Sequence, residues 1–408
     1  MSDDKNLVPS FYSGFVKLFS GLALVQLLNF GFALILPRFY TPDDYAFFGV
    51  FTAIVFILLE IITLKLDVTI FFPKEDDEAI EIVHAIFLVS FYFALITLLV
   101  SIWVSFFYNP AYLFLSFSII VYGMVLPLSA WFNRKKDYRC LNTYRIIQAI
   151  CIPVFSLFFV ILFDWHFGLV MGFILGQLVG LVYLLISFKH LNYSLLKFTL
   201  VRKYIYRYQH FPKYGVLSSL VGSISRNSIV FFVKYFFGSS SAGHFTMSTK
   251  LLRAPAGAYQ SALSQVFLQQ ASHMDNASAK VYIKKIVWFG FALGVLPVIA
   301  FLIFGQDIFG FLFGTEWLAA GKMAQYLVLW MFAMALVTPV GLMLDIKQKL
   351  KFELGWNIVL MVFRLCAILI AVLLNDLYLM MLLLSVVGVV MSIFLLVYVL
   401  KLTNGKEV

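Results

Sequence analysis

The sequence predicts an all-α integral membrane protein, with about twelve transmembrane helices in two six-helix lobes around a central cavity. Three observations predict this fold class. The 408 residues are 62% hydrophobic and 12% charged, whereas soluble domains are about 45–50% apolar and about 25% charged. Apolar segments of about 20 residues, which is enough to cross a bilayer, recur along the chain. Lysines and arginines fall mainly in alternate loops, as the positive-inside rule requires.

The spans follow from the positions of the long apolar segments. In the first half they are 12–36, 45–66, 84–107, 112–132, 144–163 and 167–187, and in the second half 213–236, 243–266, 286–305, 322–344, 356–374 and 378–400. The longest polar stretch separates the two halves. We therefore expect an N-terminal six-helix lobe at 1–187, a cytoplasmic inter-lobe linker at 188–212 and a C-terminal six-helix lobe at 213–408.

Loop charge predicts the orientation. One alternating set of connections holds nearly all loop lysines and arginines, at Lys5 and in the segments 65–74, 134–145, 189–213, 280–285, 347–351 and 401–406. The other set holds Arg38 and Lys322. Because positively charged loops stay in the cytoplasm, both termini are predicted to be cytoplasmic and the number of spans is predicted to be even.

A short internal repeat joins equivalent spans of the two halves. Residues 39–48 connect the first two spans, and residues 236–245, which lie 197 positions later, connect the seventh and eighth. At this offset Ala46 aligns with Gly243 and Phe48 with Phe245. Six spans return the chain to the same side of the membrane, so the halves are predicted to be parallel repeats. Carriers built in this way bind their substrate between the halves.

Several function classes find no support in the sequence. The net charge of +10 lies in the orienting loops and does not indicate nucleic acid. The three cysteines lack the spacing of a disulfide framework or a zinc site. The sequence contains no nucleophile or nucleotide-binding motif, and its predicted outer loops are too short for a catalytic domain. We therefore predict no enzyme activity, no catalytic residue, no metal site and no nucleic-acid partner.

Arg226 is a candidate substrate-binding cation. It lies near the middle of the seventh span, on the same helix face as Ser219 and Gly222. A charge inside a span is costly unless it faces a bundle interior or a wet cavity. Arg226 therefore either lines a cationic cavity or forms a buried ion pair or a cap on a backbone carbonyl.

Lys250 and Arg253 form the second candidate. They lie one turn apart near the middle of the eighth span, followed by Pro255, which predicts a kink. That span contains no acidic residue to neutralise them. Two adjacent cations of this kind predict a cavity that receives an anionic substrate.

Two further cations are candidates for the same cavity. Lys17 lies about one turn inside the cytoplasmic end of the first span, and it either faces the cavity or snorkels to the membrane surface. Arg364 lies near the middle of the eleventh span, with its nearest acids at the cytoplasmic edge.

Glu60, Lys65 and Asp67 are candidates for ion coupling or gating. The two acids lie seven residues apart at the cytoplasmic third of the second span, with the lysine between them. A carboxylate in a cation-lined cavity can bind a proton or a sodium ion. The alternative is a local salt bridge with Lys65 or with an arginine of the cavity, and for Asp67 we favour that alternative.

A series of motifs resembles the Wzx-type O-antigen and exopolysaccharide flippases, which belong to the multidrug, oligosaccharidyl-lipid and polysaccharide exporter superfamily. Residues 36–46 (LPRFYTPDDYA) resemble the family pattern LxRxxTPED[YF]G, with Ala46 in place of the usual glycine. Residues 64–74 (LKLDVTIFFPK) are similar to LRYExAIxLPK, with Lys65 standing for Arg and Asp67 for Glu. The resemblance continues, in order, through 211–214 (FPKY), 237–245 (FGSSSAGHF), 253–255 (RAP) and 264–267 (SQVF).

This resemblance implies a function and a place in the cell. Flippases of this family move undecaprenyl-diphosphate-linked oligosaccharides across the bacterial inner membrane by alternating access, often coupled to a cation. The chain is therefore expected to be a multi-pass inner-membrane protein without a cofactor, and H⁺ or Na⁺ is the expected coupling ion. The expected partners are the lipid-linked oligosaccharide, membrane lipid, and a polysaccharide polymerase with its chain-length regulator.

Two other functions remain open at this stage. A small-molecule exporter of the same architecture, similar to the MATE transporters, would need an acid-rich cavity for cationic compounds. A membrane polysaccharide polymerase or acyltransferase would need a catalytic loop or a cluster of polar residues at one membrane face.

Overall fold

The computed structural model describes residues 24–107, 110–192, 195–271, 276–347 and 349–403, and within them it contains helices and no strand. The longer elements of the first half are α1 (Leu24–Arg38), α2 (Pro42–Ile62), α3 (Leu66–Thr69), α4 (Asp76–Phe107), α5 (Phe114–Arg134), α6 (Tyr138–Phe163) and α7 (Gly168–Ser187). Those of the second half are α8 (Phe198–Arg207), α9 (Val216–Asn227), α10 (Ile229–Phe237), α11 (Ser239–Ala271), α12 (Asn276–Phe313), α13 (Leu318–Ile346), α14 (Leu350–Leu373) and α15 (Leu377–Leu402).

The all-α membrane fold is confirmed. In the described part of the chain, 10 helices are long and apolar enough to cross a membrane. The other two of the twelve predicted spans, the first and the eighth, are not among these 10 helices. The first, 12–36, is described only from residue 24, where α1 begins. The eighth, 243–266, lies within α11, whose serines and glutamines make it less apolar than the others.

Packing divides the described chain into two compact units. The first contains residues 24–32 and Val50–Asn227, and the second contains Ala33–Gly49 together with the described residues from Ser228 onward. The start of α2 therefore packs with the second unit, while its remainder packs with the first. The predicted lobe boundaries of 1–187 and 213–408 stay a prediction.

Glycines allow α6 and α7 to pack closely in the first unit. Gly172, Gly176 and Gly180 form one face of α7 at intervals of four residues. A Cβ atom on Gly176 would lie 2.4 Å from Cγ1 and 2.7 Å from the backbone nitrogen of Ile152. Small residues at this spacing bring membrane helices together, because dispersion contacts replace a hydrophobic driving force inside lipid.

The predicted linker is more ordered than its polar sequence suggests. It contains helix α8, which the sequence analysis did not predict. Val201 and Tyr204 of this helix are buried in the apolar cluster formed by α4, α5 and α7. The 188–212 segment therefore folds onto the first unit.

The second unit contains a close contact between the start of α2 and the start of α11. A Cβ atom on Gly243 would lie 1.7 Å from the carbonyl oxygen of Pro42, and one on Gly49 would lie 2.1 Å from Oγ1 of Thr246. Gly49 and Thr246 are 197 positions apart, so the two segments of the sequence repeat touch at equivalent positions. The indole of Trp317 donates a hydrogen bond of 3.1 Å to the Pro37 carbonyl and fixes the neighbouring turn.

Candidate functional site

A polar pocket of about 340 Å³ lies within the first unit, between α2, α5 and α9. Both charge signs are present in its lining, which is unusual inside a membrane helix bundle and marks a candidate site. The lining residues are Phe56, Leu59, Glu60, Thr63, Lys65, Asp67, Leu126, Ser223, Arg226 and Asn227. The structure thus brings together four residues that the sequence singled out, namely Glu60, Lys65, Asp67 and Arg226.

A sharp turn places Lys65 next to Glu60. Helix α2 ends at Ile62, and Leu64 and Lys65 then adopt left-handed backbone angles with φ of 51° and 58°. Two successive non-glycine residues in this region are strained. The turn folds the lysine back onto the last turn of α2, where its Nζ lies 3.3 Å from Oε2 of Glu60. Both side chains retain about a quarter of their exposure, at 28% for Lys65 and 24% for Glu60.

Asp67 is held by a different partner. The hydroxyl of Thr63 donates a hydrogen bond of 2.6 Å to Oδ1 of Asp67 across the turn. The two acids of the pocket are therefore held differently, since Glu60 pairs with a cation and Asp67 with a neutral hydroxyl. The ion-pair partner of Lys65 is Glu60.

Arg226 reaches the pocket from the seventh span. The predicted span at 213–236 is confirmed as one apolar helix, Phe211–Phe237, which has a wide turn at Phe211–Gly215 and a one-residue irregularity at Ser228 between α9 and α10. Asn227 donates a hydrogen bond of 3.0 Å to Ser223, and Ser223 donates one of 3.2 Å to the Phe56 carbonyl of α2. These two bonds fix the end of α9, and with it the position of Arg226, against α2.

The pocket combines two cationic with two acidic side chains. Lys65 and Arg226 together supply the cationic hydrogen-bond donors that phosphate groups prefer. Glu60 and Asp67 balance those charges, so the pocket is formally neutral when both acids are ionised. An incoming anion must therefore displace Glu60 from Lys65, or the acids must take up a proton or a metal cation.

The other predicted cations lie elsewhere. In the second unit, Nζ of Lys250 lies 5.6 Å from the ring centre of Tyr45 and 5.2 Å from that of Phe48. Both rings belong to the start of α2, so cation–π attraction holds the lysine in the first half of α11. Arg253, one turn further, is exposed.

Arg364 is enclosed by the packing of its helix. Its side chain is 2% exposed, and its guanidinium lies 4.9 Å from the ring centre of Trp330 on α13. In the described conformation the Arg364 side chain is therefore buried between helices and does not line an open cavity. Lys17, the remaining predicted cation, lies outside the described residues.

The uncharged polar residues of the site were not predicted from the sequence. Thr63 stands four residues before Asp67, across the turn between α2 and α3, and Ser223 stands four residues before Asn227 on one face of α9. These spacings were available in the sequence, but the approach of Ser223 to Phe56 depends on tertiary packing. A second polar group was also missed: Gln177 of α7 donates a hydrogen bond of 2.7 Å to Tyr122 of α5. The ring of Tyr122 lies 6.5 Å from that of Phe56, at the edge of the pocket.

Metal chemistry finds no ligand set in the part of the chain that the structure describes. Within it, no group of three or more histidine, cysteine or acidic side chains is arranged to hold a metal ion.

Comparison with known proteins identifies a family and a fold. A family model described as "polysaccharide biosynthesis protein" matches residues 35–322. A search among curated protein sequences finds no match.

Solved structures share the fold at low identity. The structure of the lipid II flippase MurJ in an inward closed conformation has a TM-score of 0.69 at 14% identity, covering 94% of this chain and 87% of that one. An inward-facing multidrug resistance MATE transporter of the MOP superfamily has a TM-score of 0.65 at 15% identity, covering 94% and 96%. A point mutant of the Vibrio cholerae MATE transporter VcmN has a TM-score of 0.63 at 11% identity, covering 100% and 99%. The chain therefore has the fold of the MOP superfamily transporters.

Proposed function

Because this chain belongs to the polysaccharide biosynthesis protein family, we propose that it is a flippase for undecaprenyl-diphosphate-linked oligosaccharides. The cargo is an O-antigen, capsule or exopolysaccharide repeat unit, carried from the cytoplasmic to the periplasmic leaflet of the bacterial inner membrane. Both termini are cytoplasmic in this proposal. The chain itself performs no covalent chemistry.

The observation that carries the proposal is the pocket containing Lys65 and Arg226. A lipid-linked oligosaccharide presents a pyrophosphate between its lipid and its sugar, and that group is the part most costly to move through a bilayer. A pocket with two cations inside the helix bundle offers the pyrophosphate charge-assisted hydrogen bonds. The family points to the class of substrate, and the pocket provides the chemistry that recognises its charged group.

Glu60 gives the pocket a way to release its cargo. In the described state its carboxylate pairs with Lys65 and takes the place of a bound anion. Binding of pyrophosphate breaks this pair and leaves Glu60 beside a second negative charge, which favours uptake of H⁺ or Na⁺ by the acid. When Glu60 loses that cation, the pair with Lys65 forms again and expels the cargo. Alternating access of the two halves completes the cycle.

Direct transport measurement tests the proposal. The purified chain in proteoliposomes is expected to move a fluorescent undecaprenyl-diphosphate oligosaccharide between leaflets, and Lys65→Gln with Arg226→Gln is expected to lose most of that movement. Lys401→Gln, an exposed cation at the end of α15, serves as the matched control and is expected to retain it. Normal transport by the double variant would show that the pocket does not have the role assigned to it. Absence of transport by the parent protein would contradict the proposed function.

A second candidate is an exporter of small cationic compounds, which Glu60 and Asp67 in the same pocket favour. The two functions differ in cells that lack the gene. Loss of surface polysaccharide with accumulation of lipid-linked intermediate supports the flippase, in a strain that has no other flippase for that polysaccharide. Sensitivity to cationic drugs with intact polysaccharide supports the exporter.

A further inference from the structure

Helix α8 is fixed to the end of a membrane-spanning helix. Tyr204 donates a hydrogen bond of 2.6 Å to Oε2 of Glu81, near the start of α4, and Lys203 donates one of 2.8 Å to the same oxygen. Arg207 pairs with Glu78 one turn away. Burial and the Glu81 carboxylate raise the pKa of the Tyr204 phenol, so it remains a proton donor in this bond. Because α4 crosses the membrane, these bonds hold α8 close to the bilayer surface.

The opposite side of α8 carries an unusual set of exposed residues. Phe198, Arg202 and Tyr206 follow one another at intervals of four, so they share one helix face. The phenylalanine is 67% exposed and the tyrosine 78% exposed, and the arginine between them is also exposed. We call these three residues the outer face of α8. The acids Glu78 and Glu81 engage Arg207 and Lys203, whereas Arg202 points away from them on the outer face.

We propose that the outer face of α8 binds the headgroups of anionic phospholipids. Tyr206 combines an apolar ring with a polar hydroxyl and therefore favours the interface between headgroups and acyl chains, and Phe198 adds an exposed apolar ring. An arginine among them supplies a planar set of donors for a lipid phosphate. The helix is amphipathic and about 15 Å long, so it can lie flat at that interface.

Charge and position both select this occupant. The segment 189–213 is one of the most basic connections of the chain, and anionic lipid attracts such segments within a Debye length of the surface. The bilayer is present wherever the spans are inserted, so the face needs no recruited partner to be covered. The proposal is independent of what the chain transports.

Lipid retention provides the first test. The purified full chain is incubated with an equimolar mixture of phosphatidylglycerol and phosphatidylcholine, and native mass spectrometry measures the ratio of the two bound lipids. Arg202→Ala is expected to lower the preference for phosphatidylglycerol by about fivefold, which is the effect of one basic residue at an anionic surface. Arg202→Lys is expected to keep most of it. The matched control Arg139→Ala removes an exposed cation of another basic connection, at the start of α6, and is expected to change the ratio less than Arg202→Ala does.

Depth in the bilayer provides the second test, which does not depend on a loss of binding. A spin label is attached to Tyr206→Cys in a background in which Cys140, Cys151 and Cys366 are serine. In phosphatidylglycerol liposomes the label is expected to collide more with oxygen than with a water-soluble nickel chelate, and a label at Arg139→Cys is expected to show the reverse. A water-exposed label at Tyr206→Cys, or equal lipid ratios for Arg202→Ala and its parent, overturns the proposal. Protection of this face by a cytoplasmic protein instead of lipid also overturns it.

Discussion

Lys65 and Glu60 form an ion pair of 3.3 Å across the end of α2, in a pocket that also contains Arg226. The pair depends on a left-handed turn at Leu64 and Lys65, so the backbone as well as the side chains prepares this site. Because the Glu60 carboxylate is paired with Lys65, it competes with any anionic ligand for the hydrogen-bond donors of that lysine.

Replacing Glu60 separates binding from release. Glu60→Gln is expected to bind undecaprenyl diphosphate about two- to fivefold more tightly, which corresponds to losing a partly exposed competing ion pair. Turnover in proteoliposomes is expected to fall at the same time, because the carboxylate no longer expels the ligand. Microscale thermophoresis and a leaflet-exchange assay measure the two effects. The control is Glu75→Gln, which replaces an exposed acid in the loop before α4 and should change neither binding nor turnover. Weaker binding by Glu60→Gln would contradict competition between Glu60 and the ligand.

Removing the Thr63 hydroxyl tests how the second acid is held. Thr63→Val keeps the shape of the side chain but loses the 2.6 Å hydrogen bond to Asp67. Hydrogen bonds to charged groups contribute about 1.5–3 kcal/mol, so the melting temperature of the detergent-solubilised chain is expected to fall measurably. Thermal unfolding of Ser105→Ala, whose hydroxyl bonds only to its own helix, gives the reference. Equal melting temperatures for the two variants would show that the hydroxyl contributes no stability.

Enlarging a glycine between α6 and α7 tests the close packing of the first unit. Gly176→Ala places a Cβ atom 2.4 Å from Ile152 Cγ1, which forces the helices apart at a cost of about 1–3 kcal/mol. Gly355→Ala in α14 is the matched control, because nothing lies within 4 Å of its added Cβ. We expect a lower melting temperature for the first variant and an equal or higher one for the second. The reverse order is incompatible with the described contact.

The contact between the repeated segments can be trapped covalently. A Cβ atom on Gly49 would lie 3.1 Å from Cβ of Thr246, which is close to the separation found in disulfides of about 3.5–4.5 Å. The double variant Gly49→Cys with Thr246→Cys is therefore expected to cross-link rapidly under mild oxidation, as read by protection from a maleimide mass tag. Pairing Gly49→Cys with Ser240→Cys controls for random collision. A cross-link no faster than this control argues against the contact.

Hydropathy predicted most of the fold. Long apolar segments become helices in lipid because every backbone polar group must be satisfied within the segment, so the spans could be placed from sequence alone. The family and the MOP fold suggested by the motifs at 36–46 and 64–74 are confirmed by the family match and the shared architecture. Irregularities within spans were harder to predict. The helical hydrogen bonding of the seventh span is irregular at Ser228, which is neither a proline nor a glycine.

The candidate site was only partly predictable for a similar reason. Intramembrane charge identified Glu60 and Arg226, but their assembly into one pocket depends on how α2 and α9 pack. The same charge rule also selected Lys250 and Arg364, which the structure places against aromatic rings. Insertion cost alone does not distinguish a cation that lines a polar pocket from one that packs against an aromatic ring. Helix α8 escaped prediction because its 10 residues are too few to span a membrane, and the burial of Val201 and Tyr204 depends on tertiary packing.

The glycine face of α7 has a consequence for how the protein is made. Helices α6 and α7 are joined by a short turn and meet through Gly172, Gly176 and Gly180, so they need no other part of the chain to find each other. Contacts this local form early, and the hairpin can insert and close while the ribosome is still translating the second half. When Val201 and Tyr204 emerge, the surface that buries them is already assembled. The start of α2 differs, because the helix against which it packs, α11, is translated later.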